Sequence, residues 1–568
     1  MCSSNARQLG TVLKRLGKSC SSGCTPYRTF TYTGCEWNSI SCPLLIDCAM
    51  SSAMNPCNVC DQPTKSKCSN CNQVSYCSVQ HQKQDWKAHK SSCHPFKIAH
   101  NDLLGRHLVA TRTIKPYEII LKEAPLVRGP AQITPPVCMG CLNSIEPEDH
   151  IDCDLCGWPL CGPECKSLGE HRAECQLTQE RGQKVNVHEF NGSHPLYTCV
   201  STVRCLLIGE TSPEKASKFQ ELESLESTRR GSNQWKADLA SIGQFIPKFF
   251  KTEKFSEEEV MRAVGALQIN GHEVPTSDPP HVAVFYTASF TEHSCMPNLA
   301  KSFNKNGHCI LWAPREIKKN SHLSICYSDA MWGTADRQRH LVQTKLFKCA
   351  CDRCTDVTEL GTNYSAIKCE DRRCDGLMLP SKTDDWNGSW KCRECQKQVQ
   401  KHYIDQILER AGKDLQSMEK TAENGLKYLK HYEKWLPPRH YHMSEVKILL
   451  VQLLAKDQQE LMVMPDDKLA LKLQFAWDLV QLYETIAPCE VRTLGTLCFE
   501  LHSAIAEQTR RVSLETSLSP KDRLEESLLY VDKCVNYLQY ESDIFVEGHI
   551  LKQAKINRDA LRMVMRIS

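Results

Sequence analysis

What this sequence lacks narrows its reading first. No run of about 18 or more apolar residues occurs anywhere, so no membrane-spanning helix is expected. No apolar stretch of about 7–15 residues follows the start, so a secretory leader is not expected either. Charge of neither sign dominates: 70 basic residues face 67 acidic ones, for a net +3. That balance gives no global attraction to nucleic acid or to a membrane surface, and direct nucleic-acid binding is not expected. Glycine-rich phosphate loops and Ser-His-Asp hydrolase patterns are also little in evidence, which argues against a nucleotide-hydrolysing or serine-hydrolase chemistry.

Cysteine is in excess. There are 34 in 568 residues, many in Cys-x2-Cys pairs with histidines between them. Without a leader for an oxidising compartment, that pattern points to zinc rather than to disulfides. Hydrophobic residues make up 41% of the chain, enough for several packed cores. Residues 1–54 are rich in Ser, Thr, Gly and Cys, with Arg7, Lys14, Arg15, Lys18 and Arg28 and no acidic residue before Glu36. The composition has a faint transit-peptide flavour, but a disordered tail is the favoured reading. Cys20, Cys24, Cys35, Cys42 and Cys48 lack ligand spacing.

The clearest motif is Cys57-x2-Cys60-x7-Cys68-x2-Cys71-x5-Cys77-x3-His81-x7-His89-x3-Cys93. Eight ligands suit two tetrahedral zinc ions. An interleaved pairing is expected, with Cys57, Cys60, Cys77 and His81 on one ion and Cys68, Cys71, His89 and Cys93 on the other. The segment from Val79 to His89 should be a helix with Trp86 packed beneath it. So small a module has almost no apolar core, so metal binding supplies most of its folding energy.

Three further clusters follow. Cys138-x2-Cys141-x11-Cys153-x2-Cys156-x4-Cys161-x3-Cys165-x5-His171-x3-Cys175 again offers eight ligands. Cys349-x-Cys351-x2-Cys354 is one ligand short of a site, and Cys369-x4-Cys374-x17-Cys392-x2-Cys395 fits one zinc ribbon. Between them, residues 103–127 read as two strands, with Leu108, Val109 and Ala110 in the first and Ile119, Ile120 and Leu121 in the second. Residues 195–268 read as helical, with Ser256 and Glu259 as a capping box. From about Ile404 onward apolar residues recur with helical period, as in Leu471, Phe475, Leu479 and Leu482, and helical punctuation comes from Pro437, Pro438, Pro465 and Pro488.

Several of these stretches carry a resemblance. Residues 57–93, with Tyr76-Cys77-Ser78 and Asp85-Trp86-x2-His89, resemble a MYND zinc finger in which His81 takes the place of a common Cys. The stretch Ser-Phe-Thr-Glu-His-Ser-Cys-Met-Pro-Asn from Ser289 to Asn298 closely resembles the Asn-His-Ser-Cys-x-Pro-Asn signature of SET-domain protein lysine methyltransferases, with Glu292 in place of Asn. Gly105-Arg106-His107 stands where that family has Gly-x-Gly, and Ile325-Cys326-Tyr327 where it has Ile-Ser-Tyr. Residues 57–568 as a whole resemble the SMYD family, SET and MYND domain proteins, and within it the arthropod SmydA/Msta-like branch.

The resemblance implies an α+β multidomain, zinc-rich protein. It implies a tail at 1–54, a MYND finger at 57–93 and a β-rich SET domain at 100–335. That domain is split by a MYND-like module at 138–175 and a helical insert at 195–268. A post-SET zinc site at 345–358, a ribbon at 365–398 and an α-helical tetratricopeptide-like domain at 402–568 complete the chain. S-adenosylmethionine is expected against Gly105, Arg106, His107, Asn270, Ser289, Phe290, Glu292, His293, Tyr327 and Phe347. Tyr327 is the implied catalytic residue and Phe347 the implied wall of a lysine channel. Cys295 is the implied fourth ligand for Cys349, Cys351 and Cys354. Twenty-one cysteines and three histidines, four to an ion, then fill about six zinc sites.

The implied activity is S-adenosylmethionine-dependent methylation of a lysine in a histone or non-histone protein. The alternative is a catalytically weak or inactive zinc-rich adaptor in transcriptional regulation, recruiting partners through its MYND fingers. The finger implies proline-containing peptides as partners. No basic import cluster stands out, which leaves nucleus and cytoplasm both open. Glu292 only accepts hydrogen bonds when ionised, where Asn both donates and accepts, and one lost pairing costs about 1–3 kcal/mol.

Overall fold

The computed structural model describes residues 55–68, 74–93, 95–102, 104–168, 171–371, 373–382, 385–386, 388–511 and 520–567. The expected tail at 1–54 and the ligand Cys71 lie outside the described residues. The chain divides into two units, with the break after His94.

In the first unit, β1 (Asn55–Pro56) pairs antiparallel with β2 (Pro63–Thr64), and one helix runs Val79–Cys93. Its buried core is Cys57, Cys68, Cys93 and Tyr76, so three of four core residues are metal-ligand candidates. Tyr76 donates from its hydroxyl to Asp85 at 2.6 Å and Asn58 donates to the same carboxylate at 2.9 Å, pinning the knuckle to the helix. Trp86, expected beneath the helix, is instead exposed; Tyr76 fills the interior, because its ring can bury while its hydroxyl reaches a partner.

The second unit opens with a hairpin of β3 (Phe96–Asn101) and β4 (Gly105–Ala110). β5 (Ile119–Glu123) and β6 (Val127–Gly129) follow. A zinc-type module then intervenes, containing the short pair β7 (Ile151–Asp152) and β8 (Pro159–Leu160) and the helix Arg172–Arg181. Further helices lead to Glu257–Asn270, which begins with the expected capping box: Ser256 accepts from Glu259 N–H while the Glu259 carboxylate accepts from Ser256 N–H.

The strands resume as β9 (Gly271–Val274), β10 (His281–Val284), β11 (Glu292–His293), β12 (Ala300–Phe303), β13 (Cys309–Trp312) and β14 (Ser324–Ile325). They form small sheets rather than one large one: β6-β10-β9, β12-β13-β5, and the parallel pair β11-β14. Each sheet turns one face to a shared core containing Leu108, Ile120, Phe285, Leu311, Leu323 and Ile325. That sharing explains why strands of two to six residues persist, since sheets so small are stable only when packed on neighbours.

A four-stranded antiparallel ribbon follows, of β15 (Ile367–Lys368), β16 (Leu377–Pro380), β17 (Trp390–Cys392) and β18 (Gln398–Val399). The C-terminal region is helical, from Lys401–Ser417 to Val546–Ile567. Phe475, Leu479 and Leu482 are buried as their spacing predicts, and Leu471 is half-buried. These helices are fastened to the strand region. Tyr540 donates to the Tyr117 carbonyl at 2.6 Å, and Val491 packs with Trp312 and Ala300.

One fastening is ionic. Arg337, Arg353 and Glu359 are fully buried, and Glu359 accepts from Arg337 at 3.0 Å and from Arg353 at 2.8 Å. Arg353 also donates to the Ile486 carbonyl at 3.2 Å, at the end of the helix Asp466–Ile486. Burial works against the Glu359 charge, but Arg337 and Arg353 outweigh it and hold the carboxyl below its usual range. Its contribution to stability is therefore present above the unfolded carboxyl range and lost as pH falls through the depressed folded value. Glu359→Gln removes the carboxylate that two buried guanidinium groups share and should cost about 3–5 kcal/mol at neutral pH. Urea unfolding measures this; a loss below about 1 kcal/mol would show that the triad is not what ties the helices down.

Candidate functional site

Four thiols come together at the centre of the second unit. Cys295, Cys349, Cys351 and Cys354 place their sulfurs within 4.8 Å of one another. Cys295 Sγ lies 3.4 Å from that of Cys354 and 3.9 Å from that of Cys349. Ligands about 2.3 Å from a tetrahedral zinc ion lie about 3.8 Å apart, whereas a disulfide needs about 2.05 Å. The spacing is that of a metal site. Hydrogen bonding to Cys295 pushes the Cys351 thiol down and the Cys349 thiol up, so the four do not all ionise at this spacing without a cation among them. Four protein ligands leave no open position, so the site is structural rather than catalytic.

The other clusters show the same spacing. Cys57, Cys60, Cys77 and His81 gather as one group, with Cys60 and Cys77 3.5 Å apart. Cys68 and Cys93 lie 3.7 Å apart, His89 is buried one helical turn before Cys93, and Cys71 is outside the described residues. In the inserted module the ligands interleave, Cys138 with Cys141, Cys161 and Cys165, and Cys153 with Cys156, His171 and Cys175. The ribbon brings Cys369 to 3.6 Å from Cys395 and Cys374 to 3.7 Å from Cys392.

His171 shows a feature that spacing rules did not reveal. Its Nε2 faces Cys156 Sγ at 3.2 Å while its Nδ1 meets the Glu174 carboxylate at 3.0 Å. A carboxylate behind a histidine ligand fixes its tautomer and orientation. Glu174 also accepts from Arg204 Nε at 3.0 Å, and Arg204 reaches on to the carbonyls of Arg128 at 3.0 Å and Met139 at 2.7 Å. Only the i, i+3 spacing of His171 and Glu174 signalled this chain of contacts in the sequence.

Cys295 fixes what surrounds it. The parallel pair β11-β14 sets Glu292 opposite Ser324 and His293 opposite Ile325. Asn298 stitches the same two segments, accepting from Ser324 N–H at 2.9 Å and donating to the His322 carbonyl at 2.7 Å. The Glu123 carboxylate accepts from the N–H groups of Thr287 at 2.8 Å and Ala288 at 3.0 Å, holding the short turn Ala288–Phe290 just upstream. Two strand segments distant in sequence are thereby brought side by side.

The result is an aromatic wall. The Tyr327 backbone N–H donates to His293 Nδ1 at 3.0 Å, so the proton of that ring is on Nε2, 3.3 Å from Cys295 Sγ. The His293 ring lies 5.2 Å from that of Tyr327 and 5.6 Å from that of Phe347. The Tyr327 hydroxyl donates to the Thr291 carbonyl, which fixes its oxygen. Burial, and after it the charge of Glu292, pushes the phenol well above its usual range, so it stays neutral.

The remaining predicted residues fall as follows. Gly105 has a positive φ of 62°, which glycine tolerates; His107 does not, and continues β4 as a buried strand residue. The missing second glycine therefore costs no backbone strain, and the turn differs from the family pattern. Arg106 pairs with Glu221 at 3.6 Å and lies over the Phe290 ring at 4.7 Å. Ser289 donates back to the Phe285 carbonyl at 2.6 Å. Asn270 spends its amide protons on the carbonyls of Glu223 and Ala266, each at 2.8 Å, so those donors anchor the helical insert. Glu292 accepts from His322 Nδ1 at 3.1 and 3.2 Å, and the His322 ring lies 4.6 Å from that of His107. His322 carried no signal in the sequence.

Residues 57–93 match the MYND finger family and residues 105–328 the SET domain family. This pairing of domains is the one the SMYD family is named for, and the chain is similar to its members. Among SMYD relatives, it is 27% identical over 308 residues to the SET domain-containing protein SmydA-8, isoform A, of Drosophila melanogaster, covering 53% of this chain and 64% of that one. It is 26% identical over 280 residues to the histone-lysine N-methyltransferase SMYD3 of Mus musculus, covering 44% and 59%. With the histone-lysine N-methyltransferase ASHR1 of Arabidopsis thaliana it shares 23% identity over 312 residues, covering 51% and 62%. The chain spans about three fifths of the length of these relatives.

The shared thiolate of Cys295 can be tested directly. Cys295→Ser should lower the zinc content by about one ion from about six per chain, the number set by four-coordinate sites. Elemental analysis of the purified chain reads this; an unchanged content would mean that Cys295 holds no metal.

Proposed function

We propose that this chain transfers a methyl group from S-adenosylmethionine to the side-chain amine of a lysine in a partner protein. The observation that carries the reading is the joint placement of His293, Tyr327 and Phe347 in one half-buried wall beside the buried Cys295. A bound donor would supply an electrophilic methyl on a sulfonium; a neutral lysine amine takes that methyl as the carbon–sulfur bond breaks to a neutral thioether, and the methylated ammonium then loses a proton.

The chain's task in such a step is alignment and exclusion of water. Tyr327 and Phe347 offer apolar faces that accept the stem of a lysine and strip water from its amine. The Tyr327 oxygen, held by the Thr291 carbonyl, keeps lone pairs that face a developing positive charge. In the parallel pair, Glu292 and Ser294 donate to Leu323 at 3.2 Å and Ile325 at 3.1 Å. Alternate residues of a strand face opposite ways, so the N–H and C=O of His293 point away from β14, toward the side where a donor's polar edge would be read. The His293 ring itself is occupied by Tyr327 N–H and Cys295 Sγ, so it holds the wall together.

The finger at 57–93 is read as the recruiting module for proline-containing peptides, since Val79 and Trp86 stand exposed on its helix and an exposed aromatic is what such peptides pack against.

Calorimetry with S-adenosylmethionine tests the reading first; no binding at millimolar donor would end it. Tyr327→Phe should keep the fold and donor binding but lower transfer by about a hundredfold. Transfer at the wild-type rate would remove Tyr327 from the catalytic role. Glu292→Asn restores a donor group at its position and should tighten donor binding by about tenfold or more. Weaker binding in that variant would mean that Glu292 itself is the preferred contact.

A further inference from the structure

The helix Thr334–Thr344 ends at Lys345, whose N–H closes the last turn on the Leu341 carbonyl at 2.8 Å. The next residue, Leu346, has a positive φ of 63°. A non-glycine residue in that region is uncommon, and here the reversal sends Lys345 and Phe347 to the same neighbourhood. Phe347 packs at the aromatic wall. Lys345 does too: its Nζ sits 5.6 Å from the centre of the Tyr327 ring, and the residue is only 9% exposed. The ammonium donates to the carbonyls of Gln268 at 3.1 Å and Ile269 at 2.7 Å, in the last turn of the helix Glu257–Asn270. Two carbonyls, a helix C-terminus and a ring face are all partners that favour a cation.

We infer that Lys345 holds a fixed positive charge beside the lysine slot, at the Tyr327 face, that opposes both an incoming lysine and the sulfonium donor. The inference rests on the methyl-transfer reading above. Its logic is electrostatic. In a methyl transfer to lysine the donor arrives positively charged, and the acceptor leaves positively charged. A third cation held beside Tyr327, in a water-poor setting, repels both. No repulsion of this kind would arise if the position held a neutral side chain. Lys345 would thereby set the rate and select for acceptors that approach from the side away from its ammonium. It would be a specificity-determining residue rather than a catalytic one, since it touches no reacting atom.

A purely structural role, capping the helix Glu257–Asn270, makes the opposite prediction, and three variants separate the two. Lys345→Gln keeps a hydrogen-bond donor for the carbonyls and removes the charge. Lys345→Met removes both. Lys345→Arg keeps the charge. Methyl transfer to a mixed histone substrate and donor affinity are measured on the full chain, with thermal melting as the control. The inference predicts that Lys345→Gln tightens donor binding or speeds transfer by about tenfold or more, that Lys345→Met does the same despite a lower melting temperature, and that Lys345→Arg shows no gain. Equal affinity and rate in wild type and Lys345→Gln, with donor bound in both, would overturn the inference while leaving the methyl-transfer reading intact. Failure of both proteins to bind donor would overturn the reading and the inference with it.

Discussion

Cys295 and Cys349 are 54 residues apart in the chain, yet their sulfurs lie 3.9 Å apart. A four-coordinate ion shared between the central stretch and the post-SET cysteines makes that separation immaterial, and much of the site's geometry is inherited from it. The strand β11 is two residues long and would not hold its place by backbone hydrogen bonds alone. Cys295 anchors its downstream end, Glu123 holds the turn upstream through Thr287 and Ala288, and Asn298 ties it to β14. His293 then has its ring fixed on one side by a ligand sulfur and on the other by the Tyr327 N–H. Metal, strand pairing and aromatic wall are one connected arrangement.

Buried charge extends the same arrangement outward. Arg337 reaches toward Cys354 Sγ at 3.8 Å and pairs with Glu359, which pairs with Arg353, which contacts the end of the helix Asp466–Ile486. In the inserted module Glu174 stands behind the ligand His171 and in front of Arg204, which contacts β6. Each cluster couples a zinc group to a neighbouring element through ions that are costly to bury singly and stable only as a set. The cysteines here serve less as cores of separate modules than as fixed points between which charged side chains are strung.

The cysteine framework was legible in the sequence because ligand spacing is a local property. The pairs Cys57/Cys60 and Cys392/Cys395 could be read from intervals alone. Helical periodicity likewise located Phe475, Leu479 and Leu482. The capping box at Ser256 was legible for the same reason: its donors and acceptors lie three residues apart. What was hidden is what tertiary structure alone decides. Trp86 was expected inside and stands outside, since a helix face does not say which aromatic wins the interior. Asn270 looked like a ligand-facing amide and is spent on two backbone carbonyls. His322 and Lys345 have no motif; one meets Glu292 and the other Tyr327 only because strands and a helix end far apart in sequence converge. His107 stands where the family has a second glycine and sits without strain, because the positive φ falls on Gly105.

The central claim is that one metal site fixes a slot that receives a methyl donor on the β11 side and a lysine on the Tyr327 side. The most direct measurement is anomalous X-ray diffraction at the zinc edge from crystals of the full chain grown with S-adenosylmethionine. The account predicts a zinc peak about 2.3 Å from the sulfurs of Cys295, Cys349, Cys351 and Cys354, with donor density against the β11 backbone and its sulfonium directed toward Tyr327. Absence of that peak, or donor density bound away from β11 and Tyr327, would contradict it.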